Sequence, residues 1–436
     1  MSLATPEATA TESSAFLQAI TALGQHQPVV TTRAIVNQQG ARLIEGGLQI
    51  DASLHDKLIS HRLPTRIDEC LVSEAVVTGA ALREAAEALM ARVPFFGLMG
   101  PPGRARAMVL QAIESIPLPA PVAFHLTLAR TTRPGLFDHA VQMALLCAHL
   151  VREGGAIVHD MTTAASAGLL HDMGMLYLDA EVFDGGTALS GDERKPLYMH
   201  PVTSSMLVAR FPVYPKEVAR AVFEHHERLD GSGYPRNLVG TAISPLGQLL
   251  SLAEVVTAMF DGNRQHPLQR VSLLLRMSPL RFDPALVPSI HRLLRGVPGP
   301  EAAAGATEGL AESLKHLEAQ AKLLNVWHTT VLACTPTLEA PAQAVLAAVA
   351  EQADMLQRML FEAGITPEQM GMLTRDAAED PSYAIDVWVL ARELYWQLGT
   401  TAHQLHRRWK AGAAGQLLPE ALAAWVEDVG RLEAPV

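Results

Sequence analysis

The chain has 436 residues, is 49% apolar and 18% charged, and carries a net charge of −11. That length suits roughly two to four domains, and the acidic balance argues against non-specific binding to a nucleic-acid polymer while leaving room for a small anion in a local positive pocket. Three cysteines, Cys70, Cys147 and Cys334, lie far apart with no CxxC, which reads as reduced thiols in a cytosolic protein. The opening "MSLATPEATATESSAF" has neither a basic start nor an apolar core. No run reaches the ~18 apolar residues of a membrane span. The expectation is a soluble, cytoplasmic protein with no membrane contact.

In chain order, residues 1–14 are rich in Ala, Thr, Ser and Glu and read as disordered. Residues 15–119 read as an accessory section. Its "TTRAIVNQQGARLIEGGLQI" predicts a small hairpin. "SEAVVTGAALREAAEALMARV" predicts a helix stopped by Pro94, and "FFGLMGPPGR" a loop. The latter lacks the Gly-Lys-Ser/Thr of a phosphate-binding loop. Residues 120–298 are helical with Pro/Gly punctuation. Residues 299–436 form a second helical section, where Leu346, Val349, Ala353, Leu356 and Leu360 make one apolar stripe. Trp388, Tyr395 and Trp396 fall at helical spacing and read as core or helix–helix contacts. The chain as a whole is expected to be mostly α, with a small N-terminal α+β section and a C-terminal helical section.

The 120–298 section collects unusual polar residues. His139 lies near the start of a helix in "FDHAVQMALLCAHL". His171 and Asp172 follow the apolar "AGLL". His200 precedes Pro201. His225 and His226 stand together in "VFEHHERLDGSGYP". Glu254 sits among leucines and valines in "LLSLAEVVTAMFDGNR". A charge in such company is costly unless a cation, donor or metal pairs with it. One site that gathers them all is the economical solution, and imidazole with carboxylate suits iron, manganese, nickel or zinc. Six or more ligands exceed the needs of one ion, so two ions bridged by a carboxylate fit better, the arrangement that serves phosphoester cleavage. Adjacent helical residues point about 100° apart, so His225 and His226 reach one ion only near a helix end. Histidines outside this order, His125, His149 and His159, read as ordinary core or surface residues.

The order His … His-Asp … His-Pro … His-His-Glu-x-x-Asp-Gly-x-Gly-Tyr-Pro resembles the HD-GYP family, a branch of the HD metal-dependent phosphohydrolases best known as cyclic di-GMP phosphodiesterases. The resemblance covers residues 120–295 and implies an HD-type helical bundle. It implies that His139, His171 and Glu254 hold one metal, that Asp172 bridges, and that His200, His225 and His226 hold the other. It implies His171 and Asp172 as the catalytic pair. Gly233, Tyr234, Pro235 and Arg264 are the implied substrate contacts, with Gly231 and Gly233 turning the loop. The implied cofactors are two transition-metal ions, iron or manganese favoured over nickel or zinc. The implied ligand is cyclic di-GMP, hydrolysed to pGpG and/or GMP. Partner proteins at the Gly-Tyr-Pro loop and a homodimer are compatible with it.

Three departures matter. The family's His-Asp-x-Gly-Lys ends here in Met175, which removes a cation from the substrate phosphate; Lys195, Arg228 and Arg264 are candidate substitutes. The family's late aspartate is Glu254. The extra glutamate that some members carry one turn before the first histidine is Gly135, which favours two metals over three. These departures keep two alternatives open: a receptor or interaction module with little turnover, and an HD phosphohydrolase acting on another nucleotide.

Overall fold

The computed structural model describes residues 14–50, 58, 66–100, 102–178, 195–261, 265–278, 280–297, 310–362 and 381–435. Except for Ser14, the segment expected to be disordered lies outside them. The chain divides into two compact units, one comprising residues up to 263 with 280–297, the other residues 264–279 with 298–436. Among the described residues no helix is long and apolar enough to cross a membrane.

The first unit opens with α1 (Ser14–His26), followed by β1 (Val29–Thr31), β2 (Ile35–Val36), β3 (Arg42–Ile44) and β4 (Leu71–Ser73). The expected hairpin is β2 against β3, with Ile35 opposite Ile44. The sequence reading started the next helix at Ser73. Instead Leu71–Ser73 is a strand paired with β1, Val29 opposite Ser73. The helix α2 (Gly79–Arg92) starts later because the Thr78 hydroxyl caps it by accepting from the Ala81 N–H. The stretch read as a loop contains a one-turn helix, α3 (Pro94–Gly97), whose Phe95 and Phe96 are fully buried.

Helices α4 (Arg104–Glu114), α5 (Ala120–Thr132), α6 (Pro134–Glu153), α7 (Val158–Leu170), α8 (Lys195–Ala209), α9 (Lys216–Glu224) and α10 (Pro245–Thr257) follow. Helix α6 is buried on nearly every face from Phe137 to Leu150, as befits the centre of a bundle. It turns back into α7 through Gly155, whose φ of +82° suits glycine. The two helices approach unusually closely at Gly168, where a Cβ would lie 2.8 Å from the Met143 carbonyl oxygen.

The N-terminal section packs into this unit. Phe16 of α1 stacks on Tyr177 with ring centroids 4.3 Å apart. The Tyr177 hydroxyl lies 3.0 Å from His125 Nε2 and 3.2 Å from an Arg66 guanidinium nitrogen. Asp68, almost fully buried, receives Arg210, the residue after α8, at 2.8 Å. His125 and His149 are satisfied core histidines, their Nδ1 atoms on the carbonyls of Pro121 and Met99.

The second unit contains α11 (Pro267–Met277), α13 (Leu310–Cys334), α14 (Ala340–Glu362), α15 (Pro381–Gly412) and α16 (Glu420–Gly430); α12 (Val287–Gly296) belongs to the first. The stripe from Leu346 to Leu360 is buried as expected. Trp327 packs on Trp425 at 4.5 Å. Trp396 departs from the expected core role: it is 53% exposed, on the outer side of α15.

Because Met143 presents backbone rather than a flexible side chain, Gly168→Ala should destabilise the first unit by about 1–3 kcal/mol. A lowered urea midpoint is the expected result.

Candidate metal centre

Five helices aim their polar residues at one point. His139 comes from α6, Glu254 from α10 and His200 from α8. His171 caps the C-terminus of α7, with Asp172 directly after it. His225 caps the C-terminus of α9, with His226 after it. The two adjacent imidazoles stand just past the end of α9 at Glu224, with ring centroids 4.1 Å apart.

The structure brings all seven expected ligand residues together. The donor atoms of His139, His171 and Glu254 fall within 4.8 Å of one another, as do those of His200, His225 and His226, and those of His171, Asp172 and His225. Asp172 spans the sets. Its Oδ2 is 3.3 Å from His171 Nε2 and its Oδ1 is 3.1 Å from His200 Nε2.

The orientation of the imidazoles has a local cause. The Nδ1–H groups of His171, His200 and His225 each donate to the carbonyl three residues back: Gly168 at 2.7 Å, Leu197 at 2.5 Å and Val222 at 2.6 Å. At the ends of α7 and α9 such carbonyls are free because the helix stops. His200 is inside α8, but Pro201 follows it. Proline has no N–H to offer the carbonyl four residues earlier, which is that of Leu197. The His-Pro pair thus supplies its own acceptor.

With Nδ1 protonated, Nε2 of a neutral imidazole is an acceptor only. Yet His200 Nε2 lies 3.1 Å from Nε2 of His225, whose Nδ1 is likewise bonded to a carbonyl. Acceptors that face each other need a cation between them. His171 Nε2 and Asp172 Oδ1 are likewise buried with no hydrogen-bond partner. These orphaned atoms and the mixed nitrogen–oxygen donor set fit metal ions.

Burial disfavours charge throughout the site, and neighbours decide the outcome. At His171 the Asp172 and Glu254 carboxylates outweigh burial and raise the pKa to about 9. Burial is likewise outweighed at Asp172 by His171 and His200, and at Glu254 by His139 and His171, so both carboxyls titrate well below their usual range. Burial dominates at His225, whose pKa falls to about 4. One side of the site thus pairs carboxylates with imidazoles that hold their protons, and the other is neutral imidazole.

The loop after His226 folds back on the site. Asp230 Oδ1 accepts from the Ser232 N–H, and Gly231 has a φ of +71°. A Cβ on Gly233 would lie 2.4 Å from Glu227 Cα and the His226 carbonyl, so glycine's close approach here is to the chain's own backbone. The Tyr234 N–H donates to the His226 carbonyl at 3.1 Å. The Tyr234 ring stacks on His226 at 4.6 Å and meets Tyr198 edge-on at 4.7 Å. The Tyr234–Pro235 bond is cis.

Two acidic residues escaped the sequence reading. Glu227 is fully buried and clamps the loop, accepting from the N–H groups of Arg236 at 2.6 Å and Leu238 at 2.9 Å. Asp261 meets His139 Nδ1 at 3.0 Å. Glu254 and Asp261 are seven residues apart, close to two helical turns, a spacing that could have flagged the second.

Among the candidate substitutes for the missing lysine, Arg228 directs Nη1 to the carbonyls of His225 and Glu227 and to Ser251 Oγ. Arg264 and the Lys195 side chain lie outside the described residues. The Met175 carbonyl accepts from Arg133 at 2.8 Å, and its side chain is buried. A Cβ on Gly135 would meet nothing within 4 Å.

Residues 126–286 match the family described as HD domain. This stretch is an HD domain. It is 34% identical over 123 residues to 3'3'-cGAMP-specific phosphodiesterase 1 of Vibrio cholerae serotype O1, covering 28% of each chain. It is 27% identical over 126 residues to 3'3'-cGAMP-specific phosphodiesterase 3 of the same organism, covering 29% of this chain and 27% of that one. A cyclic di-GMP phosphodiesterase from that organism is 30% identical over 131 residues, covering 27% of this chain and 26% of its own. The chain therefore spans little more than a quarter of the length of these curated relatives.

If Pro201 frees the Leu197 carbonyl for His200, Pro201→Ala should stabilise α8 yet weaken metal binding at the HD domain roughly 10-fold, since a restored N–H competes for that acceptor. Metal titration by calorimetry alongside thermal melting reads both effects.

Proposed function

We propose that the protein is a metal-dependent phosphodiesterase that hydrolyses the 3′–5′ phosphodiester bonds of cyclic di-GMP to pGpG and/or GMP. The observation that carries this reading is the pair of three-residue donor groups joined through Asp172. His139, His171 and Glu254 would hold one ion, His200, His225 and His226 the other, with Asp172 shared. Bound there, two transition-metal ions, iron or manganese before nickel or zinc, would supply an activated water and neutralise charge on the phosphoryl oxygens.

The chain's own contribution is positional. Asp172 turns one oxygen to each donor group, and the backbone-locked imidazoles keep their Nε2 atoms converged. Tyr234, braced on His226, with Gly233 and Pro235 forms the wall on the substrate side, and Arg264 is the proposed phosphate contact. The exposed loop tip beyond Pro235, with Val239 61% exposed, is where partner proteins would approach. A cytoplasmic location and a homodimer remain part of this reading.

One observation favours a second reading, a receptor with little turnover: Met175 offers no cation. Removing one charge-stabilising donor costs roughly 100- to 1000-fold in rate. Protein loaded anaerobically with manganese or iron should cleave cyclic di-GMP slowly, and Met175→Lys should accelerate it about 100-fold, seen by chromatography of the products. Tight binding without cleavage by either form would establish the receptor instead. Parallel incubation with 3'3'-cGAMP tests the named specificity of two relatives, and faster cleavage of it would transfer the activity to that nucleotide.

A further inference from the structure

We infer that Asp261 is a positioning residue for His139: it grips the Nδ1 atom and thereby aims Nε2 into the donor group shared with His171 and Glu254. The inference rests on the metal-centre reading above and adds a residue to it.

His139 is the exception among the oriented imidazoles. His171, His200 and His225 use a backbone carbonyl three residues back. His139 sits six residues into α6, where the carbonyls behind it are engaged by the helix's own N–H groups. It needs an acceptor from elsewhere. Asp261 provides it, with Oδ2 at 3.0 Å and Oδ1 at 3.3 Å from Nδ1. On the opposite edge of the ring, Nε2 lies 3.0 Å from Glu254 Oε2. Two carboxylates from one stretch of chain therefore hold both nitrogens of one imidazole. A carboxylate on the far nitrogen of a ligating histidine fixes the ring and makes the ligating nitrogen more basic than a carbonyl partner would.

The seat of Asp261 is also built. The residue follows the 3-10 turn Ala258–Phe260 that ends α10. Phe260 stacks on Phe95 with centroids 4.6 Å apart and meets Phe96 edge-on at 5.3 Å. Both partners are fully buried and belong to the Phe-Phe-Gly stretch that reads as a loop. That stretch fixes the backbone from which Asp261 reaches His139.

The test uses the full chain and its Asp261→Ala and Asp261→Asn variants. Manganese is titrated into metal-free protein, and the two classes of site are resolved by calorimetry. Asp261→Ala should weaken one class 10- to 100-fold and leave the other unchanged, with Asp261→Asn intermediate because its amide oxygen still accepts. Nitrogen-15 histidine spectra of the metal-free protein should show a slowly exchanging His139 Nδ1–H in the parent that is lost in Asp261→Ala and kept in Asp261→Asn. Unchanged affinity with an unchanged Nδ1–H signal would overturn the inference. So would equal weakening of both classes, which indicates a general disturbance of the fold. If the parent itself takes up no manganese, the metal-centre reading fails, and the Nδ1–H comparison still decides whether Asp261 orients His139.

Discussion

Imidazoles can converge on a point only if something prevents them from turning away, because their lone pairs repel. Here the restraint is a short hydrogen bond on the far side of four rings, and for His226 the stacked ring of Tyr234. His171, His200 and His225 donate Nδ1–H to a carbonyl three residues back, and His139 donates to Asp261. Each acceptor exists because the local backbone cannot use it or because a side chain was brought to the spot. Two are helix ends, one is made by a proline, and one is a carboxylate. The bundle holds several helix ends together so that these locally fixed rings meet.

The Gly-Tyr-Pro loop acquires a structural meaning from the same frame. Gly233 has no side chain because the backbone of residues 226–228 occupies that space. Tyr234 covers His226 and bonds to its carbonyl, and Glu227 beneath them ties down the far side of the loop. The two halves of "HHERLDGSGYP" are one folded object: the second half braces the histidines in the first. A loop built this way presents its outer edge to solvent while its inner edge belongs to the site.

Much of this was legible in the sequence because buried charge is conspicuous. Glu254 among leucines and His171-Asp172 after an apolar helix stand out residue by residue, and the helical stripes of both sections follow simple periodicity. The structure adds what depends on distant pairing. Ser73 looks like a helix start until Val29 is seen to pair with it. Asp261 looks like a loop residue until α6 is placed beside it. Phe16 and Tyr177 are separated by more than half the first unit's length, and nothing local in either announces the other. Trp396 follows the spacing of its buried neighbours yet faces outward, because periodicity gives a face but not its partner.

The stacking of Phe16 on Tyr177 reaches further than its two rings. Only four residues separate Asp172 from Tyr177, and Gly174 among them is pressed against the His200 carbonyl and Ser204. The short turn therefore runs from Asp172, which faces both donor groups, to a ring held by the amino-terminal helix. The region matching the HD family, taken by itself, would lack that outer fastening. Sequence homology draws the edge of the domain at residue 126, but the packing that holds its histidine–carboxylate cluster begins more than a hundred residues upstream.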